Sequence, residues 1–401
     1  MKVLHILYQS LPQVSGSSIR SRDILMSQKE VGLEVVAISS PFQIGSKFIE
    51  YFNDIKYYRT KINNIDSISD SRKSLFKRIL RLFQIVSFTK KIKKIILLEK
   101  PDVLHAHAMF FCGLPALYLG KNFNIPVVYE VRSLWMLAKD GKRQNWFSKL
   151  IEKQILGIEL FVMRRSDIVV AINENLKLFL IECNISEEKI KVVGNAVNTT
   201  LIDSLKNKLK KKAKRELNFG YVGTLTSYEG LELLINAFFS FNKNFTNSQL
   251  FIYGKGIEEN KIMELSKTNK NIHFCGPIKP NHVYQAFSNI DIIVNPRYKN
   301  KLTNSVTPLK PLEALAYSKI FIGSDVGGIK ELIKDNVNGF LFEAGNQKSL
   351  ENLMIKVYES DEQLLKKVRT EGLQYVRNNK SWLQNAIKYK KEYEHLCETS
   401  Y

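Results

Sequence analysis

The stretch Val306–Gly328, VTPLKPLEALAYSKIFIGSDVGG, predicts a helix, a buried strand and a glycine-rich turn in direct succession. Pro308 and Pro311 are tolerated only before a helix or in its first turn, so the helix is expected to begin near Lys310. The apolar run Ile320–Ile322 that follows is typical of a buried strand. This succession predicts a parallel α/β sheet, in which helix starts and strand ends face the ligand crevice.

Lys310 and Glu313 place a cation and an anion on one face of this helix, three residues apart. In a ligand crevice, Lys310 would hold a phosphate and Glu313 would accept hydrogen bonds from ribose hydroxyls. An ordinary amphipathic helix with a solvated glutamate is the alternative interpretation of the same spacing.

Three sequence blocks carry a specific resemblance. They are Pro311–Ala316 (PLEALA), Asp325–Ile333 (DVGGIKELI) and Asn338–Phe342 (NGFLF), in that order. They resemble the C-terminal half of the retaining glycosyltransferases of family 4, which have the GT-B fold. The resemblance implies an α/β protein of two Rossmann-like, doubly wound parallel-sheet domains that face a cleft.

The resemblance also implies a reaction. A sugar would move from a UDP- or GDP-linked nucleotide-diphosphate sugar to a hydroxyl of a glycan or lipid-linked glycan, with retention of the anomeric configuration. The departing phosphate would act as the base, while Lys310 and Gly223 would stabilise its charge, which makes Lys310 a catalytic residue. No cofactor or metal is expected, because the sequence has neither an Asp-x-Asp motif nor a cluster of His and Cys.

A chain of 401 residues exceeds the size at which a single core stops growing, so two domains are expected. We expect an N-terminal acceptor-binding domain over residues 1–198, a basic linker over 199–216 and a C-terminal donor-binding domain over 217–380. Residues 381–401 resemble the terminal helix by which GT-B proteins return to the first domain.

The chain carries 60 basic and 39 acidic residues, which gives a formal net charge of +21. Such an excess indicates phosphate-rich ligands, nucleic acid or an anionic membrane, and compositional drift towards lysine is the alternative. No patch interleaves aromatic residues with arginine, so nucleic acid is not an expected partner. Residues Arg72–Lys100 predict a basic amphipathic helix that either lies on anionic lipid or packs its apolar stripe on the core.

The four cysteines are too far apart for a CxxC pair, which indicates a reducing compartment. The N-terminus is typical of a first strand rather than of a signal peptide. No run reaches the ~18 apolar residues of a membrane span. We therefore expect a cytoplasmic protein, either free or bound peripherally to the inner face of the cytoplasmic membrane.

The first predicted βαβ unit consists of strand Val3–Tyr8, helix Ile19–Val31 and strand Leu33–Ser39. The loop between the first strand and the helix contains a single glycine, Gly16. A dinucleotide-binding fingerprint is therefore absent.

This loop allows two interpretations. Ser17 or Ser18 can cap the helix, or open N–H groups beneath Gly16 can cradle an anion or a sugar hydroxyl. Residues 11–22 also resemble the first loop of a family 4 subgroup found near bacterial exopolysaccharide genes, which implies a role in cell-surface polysaccharide or capsule biosynthesis. The expected acceptor-binding residues are Ser15, Gly16, Ser17 and Arg132.

His107 ends the predicted strand Asp102–His107, at the position where crevice ligands bind in parallel sheets. A lone histidine is usually structural, and the alternation of the strand puts His105 on the same face. The blocks 113–117 (GLPAL) and 129–135 (YEVRSLW) follow in the order of the family's N-terminal domain. The resemblance therefore implies a catalytic role for His107.

The segment Tyr221–Gly230 matches the family's phosphate loop in frame but departs from it in chemistry. Thr224 stands where arginine is usual, and Glu229 stands where lysine is usual. Those cations normally neutralise the pyrophosphate of the donor, so Lys310 and Arg297 are the expected replacements.

A second departure lies before Glu313. Ser305 stands where the family often has the first of two glutamates, so we expect the backbone N–H groups of Thr303–Pro308 to hold the donor sugar. Ile252–Gly256 either lets the backbone approach the donor or forms a plain turn. The expected donor-binding residues are Gly223, Thr224, Gly254, Arg297, Thr307, Pro308, Leu309, Lys310 and Glu313.

Two other functions fit the sequence. A nucleotide-sugar epimerase or hydrolase with the same fold would release an isomer or a free sugar without using an acceptor. A non-catalytic binding or scaffold protein is favoured by Thr224 and Glu229, which remove the usual phosphate-binding cations.

Overall fold

The computed structural model describes residues 1–13, 15–62, 75–132, 146–198, 217–278 and 282–399. The chain divides into two compact units, one formed by Met1–Gly194 with the C-terminal segment from Trp382, and the other by Asn195–Ser381. The predicted linker over 199–216 lies outside the described residues. The prediction of two parallel-sheet α/β domains is confirmed.

The first unit is built around one sheet. Its strands are β1 (Lys2–Leu7), β2 (Glu34–Gly45), β3 (Ile49–Phe52), β4 (Ile55–Ile62), β5 (Val103–His107), β6 (Val127–Val131), β7 (Ile168–Ala171) and β8 (Ile190–Val192). They lie in the order β3-β4-β2-β1-β5-β6-β7-β8, and all neighbours are parallel except β3 and β4. Its helices are α1 (Gly16–Glu30), α2 (Leu75–Glu99), α3 (Phe110–Phe123), α4 (Trp146–Arg165) and α5 (Glu174–Glu182).

The second unit contains a fully parallel sheet. Its strands are β9 (Phe219–Val222), β10 (Leu250–Tyr253), β11 (Ile272–Gly276), β12 (Ile292–Asn295), β13 (Ile320–Ser324) and β14 (Phe340–Phe342), in the order β11-β10-β9-β12-β13-β14. Its helices are α6 (Leu231–Asn242), α7 (Glu259–Ser266), α8 (Val283–Asn289), α9 (Lys301–Ser305), α10 (Lys310–Ala316), α11 (Gly327–Lys330), α12 (Gln347–Glu359) and α13 (Glu362–Asn379). The last helix, α14 (Trp382–Thr399), belongs to the first unit.

The strand order reverses beside the first strand of each sheet. The reversal lies between β1 and β5 in the first unit and between β9 and β12 in the second. The chain connections diverge at such a point, and a crevice opens at the carboxyl ends of the two strands. His107 ends β5, Gly223 directly follows β9, and Arg297 follows β12, so these predicted site residues lie at the two switch points.

Residues 49–62 form an antiparallel hairpin that was not predicted. Strand β3 pairs with β4 through a two-residue turn at Asn53 and Asp54, whose φ angles are 52° and 56°. Such a turn needs two residues with positive φ, which asparagine and aspartate tolerate well. The alternating sequence of β4 and this pair of turn residues are the signals from which the hairpin could have been predicted.

Helix α1 begins at Gly16 rather than at Ile19, and the prediction that Ser17 or Ser18 is its N-cap is wrong. Ser15 is the N-cap, because its hydroxyl accepts a hydrogen bond from the Ser18 N–H at 3.1 Å. The Ser18 hydroxyl in turn accepts one from the Ser15 N–H at 2.7 Å. This reciprocal capping box starts the helix before its apolar residues begin.

The segment Thr303–Pro308, whose backbone N–H groups were expected to hold the donor sugar, begins within the short helix α9. Asn300 caps it, since its side chain accepts a hydrogen bond from the Thr303 N–H at 2.9 Å. The Val306 N–H donates to the Leu302 carbonyl at 2.9 Å. These two N–H groups are used within the turn itself and are not available to a sugar, and the role of the rest of the segment stays a prediction.

Candidate active site

Three charged side chains of the second unit, those of Glu229, Arg297 and Lys310, meet near the carboxyl ends of β9 and β12. Lys310, the first residue of α10, lies across the α-carbon of Gly223. A β-carbon at Gly223 would lie 2.2 Å from Lys310 Cε and 2.8 Å from Lys310 Nζ. The missing side chain of Gly223 therefore gives Lys310 the space it occupies, and the structure brings these two predicted donor residues together.

Lys310 makes two polar contacts among the described residues. Its Nζ lies 2.7 Å from Glu229 Oε2 and 2.6 Å from the hydroxyl oxygen of Tyr221. The Tyr221 hydroxyl donates its own proton to the Thr224 carbonyl at 2.8 Å, so it accepts from Lys310. An ammonium group has three N–H donors, and in the described part of the chain these contacts use two of them.

Glu229 is buried between two cations. Its Oε1 lies 2.9 Å from Arg297 Nη2, its Oε2 contacts Lys310, and only 2% of the residue is exposed. Burial alone would raise the pKa of Glu229, but the charges of Lys310 and Arg297 outweigh burial and lower this pKa to about 2. The expected replacement cations are therefore present, and both are paired with the residue that replaced the usual lysine.

The protonation state of Lys310 depends on its burial and on the charges beside it. Burial lowers the pKa of Lys310 to about 8; Arg297 contributes to the lowering, while Glu229 and Glu313 oppose it. The ammonium form therefore predominates at neutral pH, and its charge lies close to where a ligand in the crevice would lie.

Arg297 has an unused donor. Its Nη2 binds Glu229, and its Nη1 lies 3.4 Å from the Val306 carbonyl. Its Nε–H is buried without a partner among the residues that the structure describes. An unpaired buried donor costs about 1–3 kcal/mol, so Arg297 is suited to donate to an anionic ligand.

Gly254 supports the loop after β9. Its φ is +153°, and a β-carbon there would lie 1.8 Å from the Gly223 carbonyl oxygen. Any other residue at Gly254 would displace this backbone. Thr224 is exposed and joins the cluster through its carbonyl oxygen.

The remaining donor candidates surround the start of α10. The Thr307 hydroxyl donates to Glu331 Oε2 at 2.7 Å. Pro308 is buried, and Leu309 is the N-cap of α10 without a side-chain capping bond. Glu313 lies in the first turn of α10 and is partly exposed.

In the first unit, Arg132 connects the acceptor candidate Ser17 with His107. Its Nη1 donates to the Ser17 carbonyl at 2.6 Å, to the Ser17 hydroxyl at 3.0 Å and to the Ser21 hydroxyl at 2.8 Å. Its Nη2 donates to His107 Nδ1 at 2.5 Å. Ser15 and Gly16 lie at the N-cap and first residue of α1, and a β-carbon at Gly16 would meet nothing within 4 Å among the described residues.

His107 belongs to a buried chain of hydrogen bonds whose direction is fixed. A guanidinium can only donate, so His107 Nδ1 accepts from Arg132. The proton of His107 therefore sits on Nε2 and is donated to His5 Nδ1 at 2.7 Å, and His5 Nε2 donates to Gln28 Oε1 at 2.9 Å. The Gln28 amide donates to the Tyr393 hydroxyl at 3.0 Å.

The same chain ends on His105. Tyr393 accepts from Gln28, so it donates its own proton to His105 Nδ1 at 2.7 Å. His105 Nε2 then carries a proton and lies 3.6 Å from Glu130 Oε2, too far for a hydrogen bond. Burial lowers the pKa of His107 to about 3 and, with neighbouring charges, keeps the pKa values of His5 and His105 well below their ordinary range. All three rings are therefore neutral.

Glu130 is the counter-ion of this network. Its Oε1 lies 3.0 Å from Arg20 Nε and 2.8 Å from Arg132 Nε, and its Oε2 accepts from the Tyr389 hydroxyl at 2.5 Å. Burial would raise the pKa of Glu130, but Arg20 and Arg132 hold it well below its ordinary range. Three donors therefore engage both oxygens of a carboxylate that is fully buried.

The network changes the interpretation of His107. The ligand atoms of His5, His105 and His107 lie within 4.8 Å of one another, so the tertiary structure forms a histidine cluster that the sequence spacing did not reveal. Hydrogen bonds already use both ring nitrogens of His107 and of His5. These contacts favour a role for His107 in orienting Arg132 over proton transfer or metal binding.

Helix α2 covers the described part of the basic stretch up to Glu99, and it buries an apolar stripe while it exposes lysines. Phe88, Ile92, Ile95 and Ile96 are buried and face the core of the first unit. Lys90, Lys93, Lys94 and Lys100 are exposed, as are Leu97 and Leu98. Arg72 and Lys73 lie outside the described residues, and the side chains of Lys77, Arg78 and Arg81 are not described. Among the helices that the structure describes, none is long and apolar enough to cross a membrane.

Comparisons with known proteins extend over both units. Residues 32–201 match the family described as Glycosyltransferase Family 4, and residues 202–374 match the family described as Glycosyl transferases group 1. An uncharacterized glycosyltransferase of Methanocaldococcus jannaschii is 25% identical over 242 residues, which cover 59% of this chain and 60% of that protein. A second one from the same organism is 21% identical over 402 residues, covering 99% and 100% of the two chains.

Solved structures share the architecture. Sucrose-phosphate synthase from Thermosynechococcus elongatus superposes with a TM-score of 0.80 at 17% identity and covers 99% of each chain. The Anabaena protein HepE in complex with UDP-glucose superposes with a TM-score of 0.74 at 15% identity, covering 98% of this chain and 100% of that chain. At these identities the likeness shows the fold.

Proposed function

Because this chain is a glycosyltransferase of group 1 with the GT-B fold, we propose that it transfers a sugar from a UDP- or GDP-linked nucleotide-diphosphate sugar to a hydroxyl of a glycan or lipid-linked glycan. The observation that carries the donor half of this proposal is the position of Lys310. Its ammonium lies over Gly223 at the switch point of a parallel sheet, with the unpaired donor of Arg297 in the same cluster. The UDP-glucose complex of the structurally similar Anabaena protein supports a nucleotide sugar as the donor.

We assign transition-state stabilisation to Lys310 and Arg297, which would neutralise the charge that develops on the departing diphosphate. Glu313 would accept from the ribose hydroxyls, and Gly223 and Gly254 would let the backbone approach the donor. Arg132 and Ser17 would contact the acceptor, with His107 holding the guanidinium. Transfer would proceed with retention, with the leaving phosphate taking the proton of the attacking hydroxyl, without a metal or other cofactor.

The acceptor side of the proposal rests on α2. We propose that the exposed lysines Lys90, Lys93 and Lys94 hold the protein peripherally on the inner face of the cytoplasmic membrane. A lipid-linked glycan there would give the enzyme a role in cell-surface polysaccharide synthesis, and each cation near an anionic surface contributes about 1 kcal/mol. Replacing these three lysines by glutamate should abolish co-sedimentation with phosphatidylglycerol vesicles. Equal binding by both forms would refute membrane docking through α2.

Donor binding is tested by thermal unfolding with UDP, GDP and other nucleotide diphosphates. A ligand at 100 times its dissociation constant should stabilise the protein by about 2.7 kcal/mol. Product analysis with a radiolabelled donor sugar then separates the reactions. Transfer to an acceptor supports the proposal, whereas release of free sugar or of an isomer would indicate a hydrolase or epimerase. A folded protein that binds no nucleotide diphosphate would indicate the binding or scaffold protein that Glu229 and Thr224 also fit.

A further inference from the structure

We infer that Glu229 is a positioning residue for the donor: its carboxylate keeps the Lys310 ammonium charged and directed across Gly223, where the donor phosphate is to bind. The inference rests on the proposed function for the identity of the ligand. Glu229 carries a charge opposite to that expected in a phosphate loop. A positioning role explains why a buried anion lies in a site that binds anions.

The backbone fixes Glu229 in its place. The residue ends the short 3-10 turn Ser227–Glu229, and Gly230 follows it with φ +69°. A β-carbon at Gly230 would lie 2.0 Å from the Pro296 carbonyl oxygen, so the turn packs directly on the segment that precedes Arg297. The backbone that carries Glu229 is therefore packed against the segment that carries Arg297.

Both carboxylate oxygens are engaged. Oε1 binds Arg297 at 2.9 Å, and Oε2 binds Lys310 at 2.7 Å with the Asn295 amide 3.4 Å away. The carboxylate thus determines where both cations lie. Among the described residues, the third N–H of Lys310 and the Nε–H of Arg297 have no partner, so both remain for a ligand.

Removal of Glu229 would leave two buried cations close together. Arginine does not lose its proton in proteins, so the mutual repulsion would be relieved by deprotonation of Lys310. The groups that face the Lys310 ammonium are Glu229, Arg297, the Tyr221 hydroxyl and, one turn along α10, Glu313. Of these, only the two glutamates carry the charge that favours the ammonium form.

The sign of the pH effect follows from this arrangement. The donor phosphate binds the ammonium form, so affinity should be constant below the pKa of Lys310, about 8, and fall above it by up to about tenfold per pH unit. Glu229→Gln should shift this fall to lower pH. Arg297→Gln removes a cation that lowers the pKa of Lys310, so it should shift the fall to higher pH, whatever it does to affinity itself.

The direct measurement is the rate of acetylation of Lys310 by acetic anhydride as a function of pH, read by mass spectrometry of the Lys310 peptide in the full-length protein. Only the neutral amine reacts, so the midpoint reports the pKa without any ligand. We expect a midpoint near 8 in the wild type, about one unit or more lower in Glu229→Gln, and close to the wild type in Glu229→Asp. An unchanged midpoint in Glu229→Gln would overturn the inference.

Addition of UDP or GDP separates this inference from the proposed function. If UDP or GDP protects Lys310 of the wild type from acetylation, the phosphate binds at the ammonium group. If neither nucleotide protects it, the donor role of Lys310 is refuted. Protection together with an unshifted Glu229→Gln midpoint would refute the role of Glu229 alone. If Glu229→Gln does not fold, the opposite shift expected for Arg297→Gln decides, and a midpoint that does not rise would overturn the inference.

Discussion

Each unit of this protein holds a buried glutamate between two cations, Glu130 in the first unit and Glu229 in the second, and the two clusters differ in how completely their cations are paired. Glu130 accepts from Arg20, Arg132 and Tyr389 and is fully buried. Glu229 is shared by Arg297 and Lys310, and Arg297 keeps a buried donor without a partner among the described residues. No nitrogen of Arg20 or Arg132 is buried without a partner among the described residues. A cluster whose cations are fully paired stabilises the fold, whereas one with an unpaired cationic donor is prepared for a ligand.

The two clusters also differ in what they can do with a proton. Each contains two cations and one carboxylate, which leaves one net positive charge. In the first unit both cations are arginines, which stay charged. In the second unit one of them is Lys310, whose pKa of about 8 lets it adjust to its neighbours. The first cluster is therefore electrostatically rigid and the second is adjustable.

The comparison predicts unequal costs for removing the two carboxylates. Glu130→Gln leaves Arg20 and Arg132 buried without their counter-ion, so the free energy of unfolding should fall by about 3–5 kcal/mol. Glu229→Gln should cost less, because Lys310 can lose its proton. Urea unfolding of both variants measures the difference, and equal losses would show that the two clusters do not differ as described.

The proposed donor role of the cluster of Glu229, Arg297 and Lys310 predicts a large effect on catalysis. Lys310→Ala removes the charge that would stabilise the departing diphosphate, so turnover should fall by about two to three orders of magnitude. The exposed Lys330 provides the control, since Lys330→Ala removes the same charge away from the cluster. Near-normal turnover of Lys310→Ala would exclude it from the reaction.

Glu313 tests the nucleotide end of the same site. Glu313→Gln keeps the shape of the side chain but loses charge-assisted hydrogen bonds to the ribose, which should weaken binding by about 1.5–3 kcal/mol. Isothermal titration with UDP or GDP gives the affinity directly. The ribose contact is ruled out if the variant binds both nucleotides as tightly as the wild type.

The smallest expected effect is on stability, and it concerns the chain of hydrogen bonds that runs from Arg132 to His105. Tyr393→Phe removes the hydroxyl that joins Gln28 to His105. The Gln28 amide and His105 Nδ1 then stay buried without that partner, so the free energy of unfolding should fall by about 1–2 kcal/mol. Tyr118 is 61% exposed, and Tyr118→Phe should change stability little. Similar stability of both variants would show that the hydrogen bonds of the Tyr393 hydroxyl do not stabilise the fold.

The sequence predicted regular elements well and the ends of loops poorly. Strand β5 ends at the predicted His107, and α10 begins at the predicted Lys310, because apolar periodicity and the positions of proline are local signals. The hairpin of β3 and β4 and the capping box at Ser15 were missed. Both depend on backbone conformations of one or two polar residues, which a pattern of apolar positions does not describe.

The sequence by itself determined the fold class, the family resemblance and the substitution of a glutamate for a cation at position 229. The tertiary structure alone decided what that glutamate does, since Lys310 and Arg297 approach it from strands and helices far along the chain. It likewise brought His5, His105, Gln28 and Tyr393 into one directed network. The reason is physical: periodicity and turn chemistry act between neighbours in sequence, whereas burial and electrostatic pairing act between neighbours in space.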